Sequence, residues 1–482
     1  MQKKFLSSLV ILLFLNLLIK PFWVLGIEVM VQNAVGAEQY GFYYAIFNFS
    51  FLLNIFLDVG ITNFNNKNIA QNNHLLSKHF ASIVVLRFLL AVTFTLVTLI
   101  GGLIIGYTDD MMKMLIAVLV NQILISTIAY LRSNLAGLHL FKTDSIISVL
   151  DRLIMILICG ALLINHSASG TFDIRWFIYA QTMAYFITAL ITAIIVMDKA
   201  KVRKLKWRWA FFMMILKKSY PYAILVLLMT FYNRIDGVML ERLLPFRRGA
   251  YEAGIYASAY RLLDASNMIA FLFAGLLLPI FARMLKLKES VEQLVQLTFS
   301  ILIVPAFLVV ITCVVYSNEL MALLYKDHIE ASAAVFRVLI CCFVPIASVY
   351  IFGTLLTANG NLKQLNIMAS AGMVINIILN IFLIPKMEAL GAAISSFSTQ
   401  LLCALAQVLM VQYIFKFKVN FKLLLSLAIF VVGSIGIQYY ISNLSLQWMW
   451  RMTISIAICT ALAFTLRLIS IKKLLIIFNS EH

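Results

Sequence analysis

Runs of roughly twenty apolar residues recur from one end of this 482-residue chain to the other with short polar stretches between them, and that is the length needed to span a hydrocarbon core as a helix. With 63% hydrophobic and 12% charged residues, the chain carries about half the charge of an ordinary soluble protein, and no water-soluble fold could hide its apolar side chains. A transmembrane β-barrel would need segments of about ten residues alternating apolar with polar. Residues 81–105 and 423–441 are instead apolar on nearly every face, so helices are expected to do the spanning.

The expected fold is an all-α polytopic membrane protein of about fourteen transmembrane helices. The spans read from the sequence are 5–35, 41–61, 80–105, 112–131, 144–165, 174–197, 219–243, 253–281, 293–315, 329–357, 365–384, 391–415, 423–441 and 450–468. The first follows Lys3 and Lys4 and runs on to about Val35 without a small-residue cleavage site, so it is expected to be retained rather than removed as a signal peptide.

The net charge of +18 does not point to nucleic acid, which would require a basic face on a soluble module, and no polar stretch is long enough to form one. The membrane accounts for it. With the N-terminus inside, about 24 of the 38 Lys and Arg fall on the cytoplasmic side, about 8 outside and about 6 within helices, so both termini are expected to be cytoplasmic. The densest basic stretch, Lys199, Lys201, Arg203, Lys204, Lys206 and Arg208 with Trp207 and Trp209, divides the chain nearly in half. The same residues suit either topology or anionic head groups at the inner leaflet.

The expected organisation is residues 1–198 as a first lobe of six helices, 199–218 as a basic cytoplasmic linker, 219–415 as a second lobe of six helices, and 416–482 as two further helices and a cytoplasmic tail. Two matches in register suggest that the lobes are repeats. Gly41 and Tyr43 align with Gly254 and Tyr256, and 135–146 (LAGLHLFKTDSI) aligns with 356–367 (LTANGNLKQLNI). Transporters with repeated halves bind substrate near the bilayer midplane between them.

Six cations fall inside the spans: Lys20, Arg87, Arg152, Arg234, Arg261 and Arg337. Such residues are costly in lipid and face a cavity, water or a partner. Lys20 precedes Pro21 midway along the first apolar stretch, which implies a bent helix; Lys20 either faces a cavity or marks the cytoplasmic surface. Arg87 and Arg152 lie about two turns into helices entering from the cytoplasm and either snorkel or line a cavity; Arg152 can also pair with Asp151. Arg234 lies past the middle of its helix between Asn233 and Asp236, a cavity-lining placement. Arg261 and Asp264 share a helix face, as an internal pair or as a site open to substrate and protons.

The buried acids able to take up a proton or sodium ion are Glu28, Asp58, Asp151, Asp236 and Asp264. An excess of intramembrane cations suits a translocated anion such as a pyrophosphate, which Arg grips through paired donors. Asp109 and Asp110, after the third helix, read as a solvated loop pair rather than an enzyme's acidic site. Cys159, Cys313, Cys341, Cys342, Cys403 and Cys459 all lie in apolar runs with no CxxC and no clustered His, so neither a metal nor another cofactor is expected. No Walker motif is present to bind ATP, leaving an ion gradient or the substrate's own gradient as the energy source.

Residues 32–70 (QNAVGAEQYGFYYAIFNFSFLLNIFLDVGITNFNNKNIA), with a V-G-x-x-x-Y-G turn, a long helix and then D-x-G-I, resemble the start of the Wzx-type polysaccharide-transport flippases. This is a MATE-like branch of the multidrug/oligosaccharidyl-lipid/polysaccharide superfamily. Residues 232–240 (YNRIDGVML) and 254–263 (GIYASAYRLL) look like that family's seventh and eighth helices. The resemblance implies a twelve-helix core in two lobes plus two extra helices, in the inner membrane of a bacterium. It also implies alternating access. A central cationic cavity would take the head group of an undecaprenyl-pyrophosphate-linked oligosaccharide, a repeat unit of O-antigen, lipopolysaccharide, capsule or exopolysaccharide, from the cytoplasmic to the periplasmic leaflet, with no covalent chemistry. The implied partners are that lipid-linked substrate, membrane lipids, a coupling proton or sodium ion and polysaccharide-assembly proteins. Two other readings stay open: an ion-coupled multidrug extruder of the same architecture, which would favour acidic over basic cavity residues, and a membrane polysaccharide polymerase or glycosyltransferase.

Overall fold

The structure is a computed structural model describing residues 15–468 except 17, 63–64, 66–68, 70–73, 139, 170–171, 201–206 and 419. The described residues are overwhelmingly helical and contain no strand. Eleven helices among the described residues are long and apolar enough to cross a membrane. Two of them are each broken by one non-helical residue: Leu18–Leu52 at Gly36 and Leu362–Phe415 at Glu388. Counting these as two crossings each, and adding the long helix Phe246–Lys286, gives the fourteen expected.

In chain order these are α1 (18–35), α2 (37–52), α3 (Leu75–Ile105), α4 (Asp109–Gly137), α5 (Phe141–Ser169), α6 (Ile174–Ala200), α7 (Trp209–Leu243), α8 (Phe246–Lys286), α9 (Glu292–Val315), α10 (Ile329–Ala358), α11 (362–387), α12 (389–415), α13 (Phe421–Ser442) and α14 (Trp448–Thr465). Many of their large apolar side chains, such as Phe88, Ile104, Leu157 and Ile164, are exposed, as lipid-facing positions must be. The chain is a multi-pass membrane protein.

Packing divides the chain into two compact units, residues 1–257 and 258–482. In the first, α2 packs on both α4 and α7, and α4 on α6. A buried core of Phe80, Ile83, Tyr130, Leu135, Val196 and Phe212 ties α3, α4, α6 and α7 together. The basic stretch between α6 and α7 falls partly outside the described residues, since 201–206 are among those not described.

The bend expected near Pro21 takes a particular form. Residues 18–22 are helical, the ladder loosens into a π-helix over Trp23–Glu28, and α-helical pairing resumes at Val29. Pro21 has no N–H to return to the preceding turn, and a π segment is one way a helix absorbs such a fault.

α2 begins and ends earlier than the span 41–61 read from the sequence. After Leu52 the chain turns, makes a short helix Ile55–Asp58, and reverses through Val59 and Gly60, both at positive φ. The D-x-G-I motif is this corner: both carboxylate oxygens of Asp58 accept the Thr62 backbone N–H, at 3.1 and 3.3 Å.

The two glycines aligned in the sequence meet. A Cβ on Gly41 would stand 1.7 Å from the Ala250 carbonyl oxygen, and one on Gly254 would stand 2.0 Å from that of Ala37, so α2 and the start of α8 cross backbone against backbone. Gln32 Nε2 donates to the Gly254 carbonyl at 2.9 Å across the same crossing.

In the second unit α9 is the hub, packed on α10, α13 and α14. Val304, Phe430 and Ala463 form a small buried core there. Gln438 on α13 donates to Thr312 on α9 at 2.7 Å, and Tyr316 and Ser455 lie hydroxyl to hydroxyl at 3.3 Å. Interhelical bonds of this kind hold helices where lipid offers no hydrophobic drive. α11 and α12 are joined by a tight reversal after Pro385, with Glu388 at φ 52° and Gly391 packed on the Leu383 carbonyl.

Candidate functional site

Of the sequence-derived candidates, the first unit brings Lys20, Glu28, Asp151 and Arg152 together. α1 contributes Lys20, Trp23 and Glu28, α5 contributes Asp151 and Arg152, and α6 contributes Tyr185. The π segment shapes this group. Trp23 Nε1 donates to Glu28 Oε1 at 2.9 Å, a contact between residues five apart that π winding brings onto one face. The indole stacks on Phe177 with ring centroids 5.9 Å apart, fixing its plane.

Arg152 is presented by aromatic rings more than by acid. Its guanidinium lies 5.7 Å from the centroid of Trp23 and 5.7 Å from that of Tyr185, and Nη1 donates to the Tyr185 hydroxyl at 3.0 Å. Asp151 stands 3.9 Å from Arg152 Nε, the outer limit of an ion pair, and its Oδ1 accepts the Arg152 backbone N–H at 2.8 Å. Rings attract a cation by their quadrupole without occupying all of its N–H donors. Lys20 has Arg152, Asp151 and Arg132 as its charged neighbours.

Sequence reasoning missed four further residues here. Arg132, at the end of α4, grips Asp144 through Nε and Nη2 at 2.7 and 3.3 Å, and Asn16 donates to Ser148 at 2.9 Å, tying the start of the first span to α5. Lys20, Arg132 and Arg152 are thus matched in number by Glu28, Asp144 and Asp151. The group is electrically balanced, and what sets it apart is that one of its cations, Arg152, is walled by aromatic rings.

The other candidates lie elsewhere. Arg87 donates to Asp58 at 2.6 Å and to the Ser126 carbonyl at 2.7 Å, beneath the Tyr130 ring at 5.0 Å; this pair braces the D-x-G-I corner. On α7, Arg234 lies 5.6 Å from the Phe51 ring, and Asp236, fully buried, accepts the Tyr256 hydroxyl at 2.7 Å; Asn233 is beside them. In the second unit Arg261 and Asp264 are both partly buried on α8, and the exposed Arg337 donates to Ser317 at 2.6 Å. Fully buried Asn376 and Asn380 on α11, joined at 3.1 Å, add a polar stripe there that the apolar run conceals.

A second knot missed from sequence closes the far end of α7. Glu241, with no exposed side chain, lies 2.6 Å from Arg242 Nε, and Arg242 also donates to the Ile105 carbonyl at 3.2 Å and covers the Tyr107 ring at 4.5 Å. Burial pushes the Tyr107 phenol above its ordinary pKa, with Glu241 acting in the same direction. Arg242 here caps the carbonyl end of α3. All six cysteines are free, and the described residues contain no cluster of ligands fit for a metal ion.

The fold is shared with solved transporters. A lipid II flippase MurJ in an inward closed conformation is similar at TM-score 0.74 and 13% identity, over 95% of this chain and 97% of that one. A multidrug resistance MATE family transporter of the MOP superfamily, inward-facing, is similar at 0.66 and 14%, over 84% and 97%. A MOP superfamily transporter from Pyrococcus furiosus Vc1 (DSM3638), described by the reverse polarity of its binding pocket, is similar at 0.63 and 15%, over 85% and 95%. The sequence matches no curated protein. The family model described as polysaccharide biosynthesis protein matches residues 6–285, more than half of the chain, and so this membrane protein, which has the MOP fold, belongs to the polysaccharide biosynthesis protein family.

Proposed function

We propose that this protein is a flippase that carries an undecaprenyl-pyrophosphate-linked oligosaccharide from the cytoplasmic to the periplasmic leaflet of a bacterial inner membrane by alternating access, with both termini cytoplasmic. It makes and breaks no covalent bond. The observation that carries this reading is Arg152 turned to Trp23 and Tyr185 instead of into a tight carboxylate pair, with Lys20 a second cation within its electrostatic reach. A loosely held guanidinium with a second cation in its surroundings suits a pyrophosphate, whose passage through bare hydrocarbon would cost several kcal/mol or more per charge. Membership of the polysaccharide biosynthesis family supports a saccharide-bearing cargo. Arg234, Arg261, Arg337 and Asn233 remain candidates for further head-group contacts, and Asp236, Asp264, Glu28 and Asp151 for ion coupling, whereas the Arg87–Asp58 pair serves the corner after α2. The organisation into a first lobe to residue 198, a linker to 218, a second lobe to 415 and a two-helix tail is part of the same reading.

The test is deletion in the native host, with complementation by wild type, Lys20→Ala and Arg152→Ala at matched membrane levels. Intact lipid-linked oligosaccharide should build up on the cytoplasmic side in the deletion and stay there with the Arg152 variant. A deletion with normal surface glycan and no trapped intermediate would overturn the flippase in favour of the drug extruder. Full rescue by both variants would overturn the site.

A further inference from the structure

Four helices of the first unit start at the same end. α2, α4, α6 and α8 all begin beside one cavity of about 310 Å³, at the lower end of the roughly 300–1,000 Å³ usual for small-molecule sites. Its lining includes Gln39 and Phe42 from α2, Asp110 from α4, Asp173 and Arg175 at the start of α6, and Phe246 from α8. Phe42 and Phe246 stand with centroids 5.1 Å apart, tilted by 46°, forming an apolar corner. Arg175 Nη2 lies 3.6 Å from Asp110, a loose and largely exposed pair, and its backbone N–H donates to Asp173 at 2.8 Å.

The charge around the cavity fixes the side of the membrane and the kind of ligand. The connections 36–41, 106–109, 170–173 and 244–246 contain Glu38, Asp109 and Asp173, with Lys113, Arg175, Arg242, Arg247 and Arg248 spread around them, while six basic residues crowd 199–208 on the other side. By the positive-inside bias the cavity opens outward. Asp110 is shared by Arg175 and Lys113, each at 3.6 Å, and Asp173 is the second carboxylate of the lining, so the site is close to neutral and has no surplus of cation for a phosphate. What remains is a ligand dense in hydroxyls with an apolar face. Carboxylate, amide and guanidinium groups accept from and donate to neighbouring hydroxyls, and the Phe42–Phe246 corner can take the C–H face of a pyranose ring.

We propose that this cavity is an outward-facing saccharide subsite that holds a sugar of the cargo's glycan, separate from the Lys20–Arg152 pair that would hold its pyrophosphate. The assignment rests on the flippase reading. It divides the head group by chemistry: the phosphates go to the intramembrane cations and the sugars to an outer site with no surplus of cation. The bonds are exposed to water and the affinity is correspondingly weak, so the subsite receives sugars without retaining them.

The probe is the oligosaccharide freed by mild acid from the host's own lipid-linked pool, which carries neither lipid nor pyrophosphate. Purified full-length protein in nanodiscs is mixed with it, and saturation transfer to the sugar protons is followed by NMR. Transfer should be seen with wild type and with Arg152→Ala, and should fall at least fivefold with Phe42→Ala and with Arg175→Ala, each checked for an unchanged melting temperature. If Phe42→Ala fails that check, Gln39→Ala provides the second cavity variant. No transfer to wild type overturns the subsite, as does transfer that survives the cavity substitutions. So does calcium binding at Asp110 and Asp173 that accounts for all the differences between the variants. The two readings fail separately: trapped lipid-linked oligosaccharide in the deletion strain with no sugar binding at the cavity leaves the flippase intact and removes only the subsite.

Discussion

Arg87 and Arg152 each lie about three turns from the start of their helices, α3 and α5, and the first unit treats them in opposite ways. Arg87 meets a carboxylate at 2.6 Å, a backbone carbonyl at 2.7 Å and a tyrosine face, so its charge is consumed in holding the corner after α2 to α3 and α4. Arg152 has its acid at 3.9 Å and its rings at 5.7 Å, so its charge is balanced more loosely. The difference shows how to separate a structural cation from one kept for a ligand: by the distance to its nearest acid and by what else its donors reach.

Removing an acid should separate the two most sharply. Asp58→Ala leaves Arg87 uncompensated at 9% exposure and should cost about 3–5 kcal/mol, read as a loss of membrane-resident protein and a lowered melting temperature in detergent. Asp58→Leu combined with Arg87→Met should recover most of that loss. A single variant as stable as wild type would mean that the corner does not depend on the pair.

Next in size, Arg152→Met should lower glycan export by about 10–100-fold, the equivalent of about 1.4–2.7 kcal/mol, while moving the melting temperature little. If it unfolds the protein as Asp58→Ala does, the contrast between the two arginines collapses. The smallest effect belongs to Trp23→Phe, which keeps a ring for Phe177 and Arg152 but loses the N–H donated to Glu28, and should cost about 1 kcal/mol of stability with less than a threefold change in export.

The sequence discloses a good part of this. The helix count and the fault at Lys20–Pro21 follow from hydropathy and position alone. It does not disclose which cations meet, because α1 and α5 are far apart in the chain and apolar on most faces, so no periodicity aims Lys20 at Arg152. Trp23 and Tyr185 sit in runs where an aromatic reads equally as lipid contact or core. Glu241 next to Arg242 at the end of a span resembles a surface pair, yet its side chain is fully buried. The end of α2 was misjudged because residues 53–61 continue the apolar run, and nothing marks the β-branched Val59 as a residue that will adopt φ 46°. Gly41 and Gly254 were legible as equivalents of one another, but not as contact partners, since pattern matching carries no distances.

The π segment of α1 has a genetic consequence. An i→i+5 ladder is in effect an α-helix holding one residue too many, and an α-helix turns by about 100° per residue. Deleting a single residue such as Gly26 would let the segment close into ordinary α-helix with its two flanks in nearly the same rotational register. Trp23 would still face Glu28, now as residues four apart, and Lys20 would keep its side of the helix. The same deletion in the α-helical part that follows would turn Lys20 by about 100° against the residues after it, so the π segment is where this helix can lose a residue without turning that cation to another face.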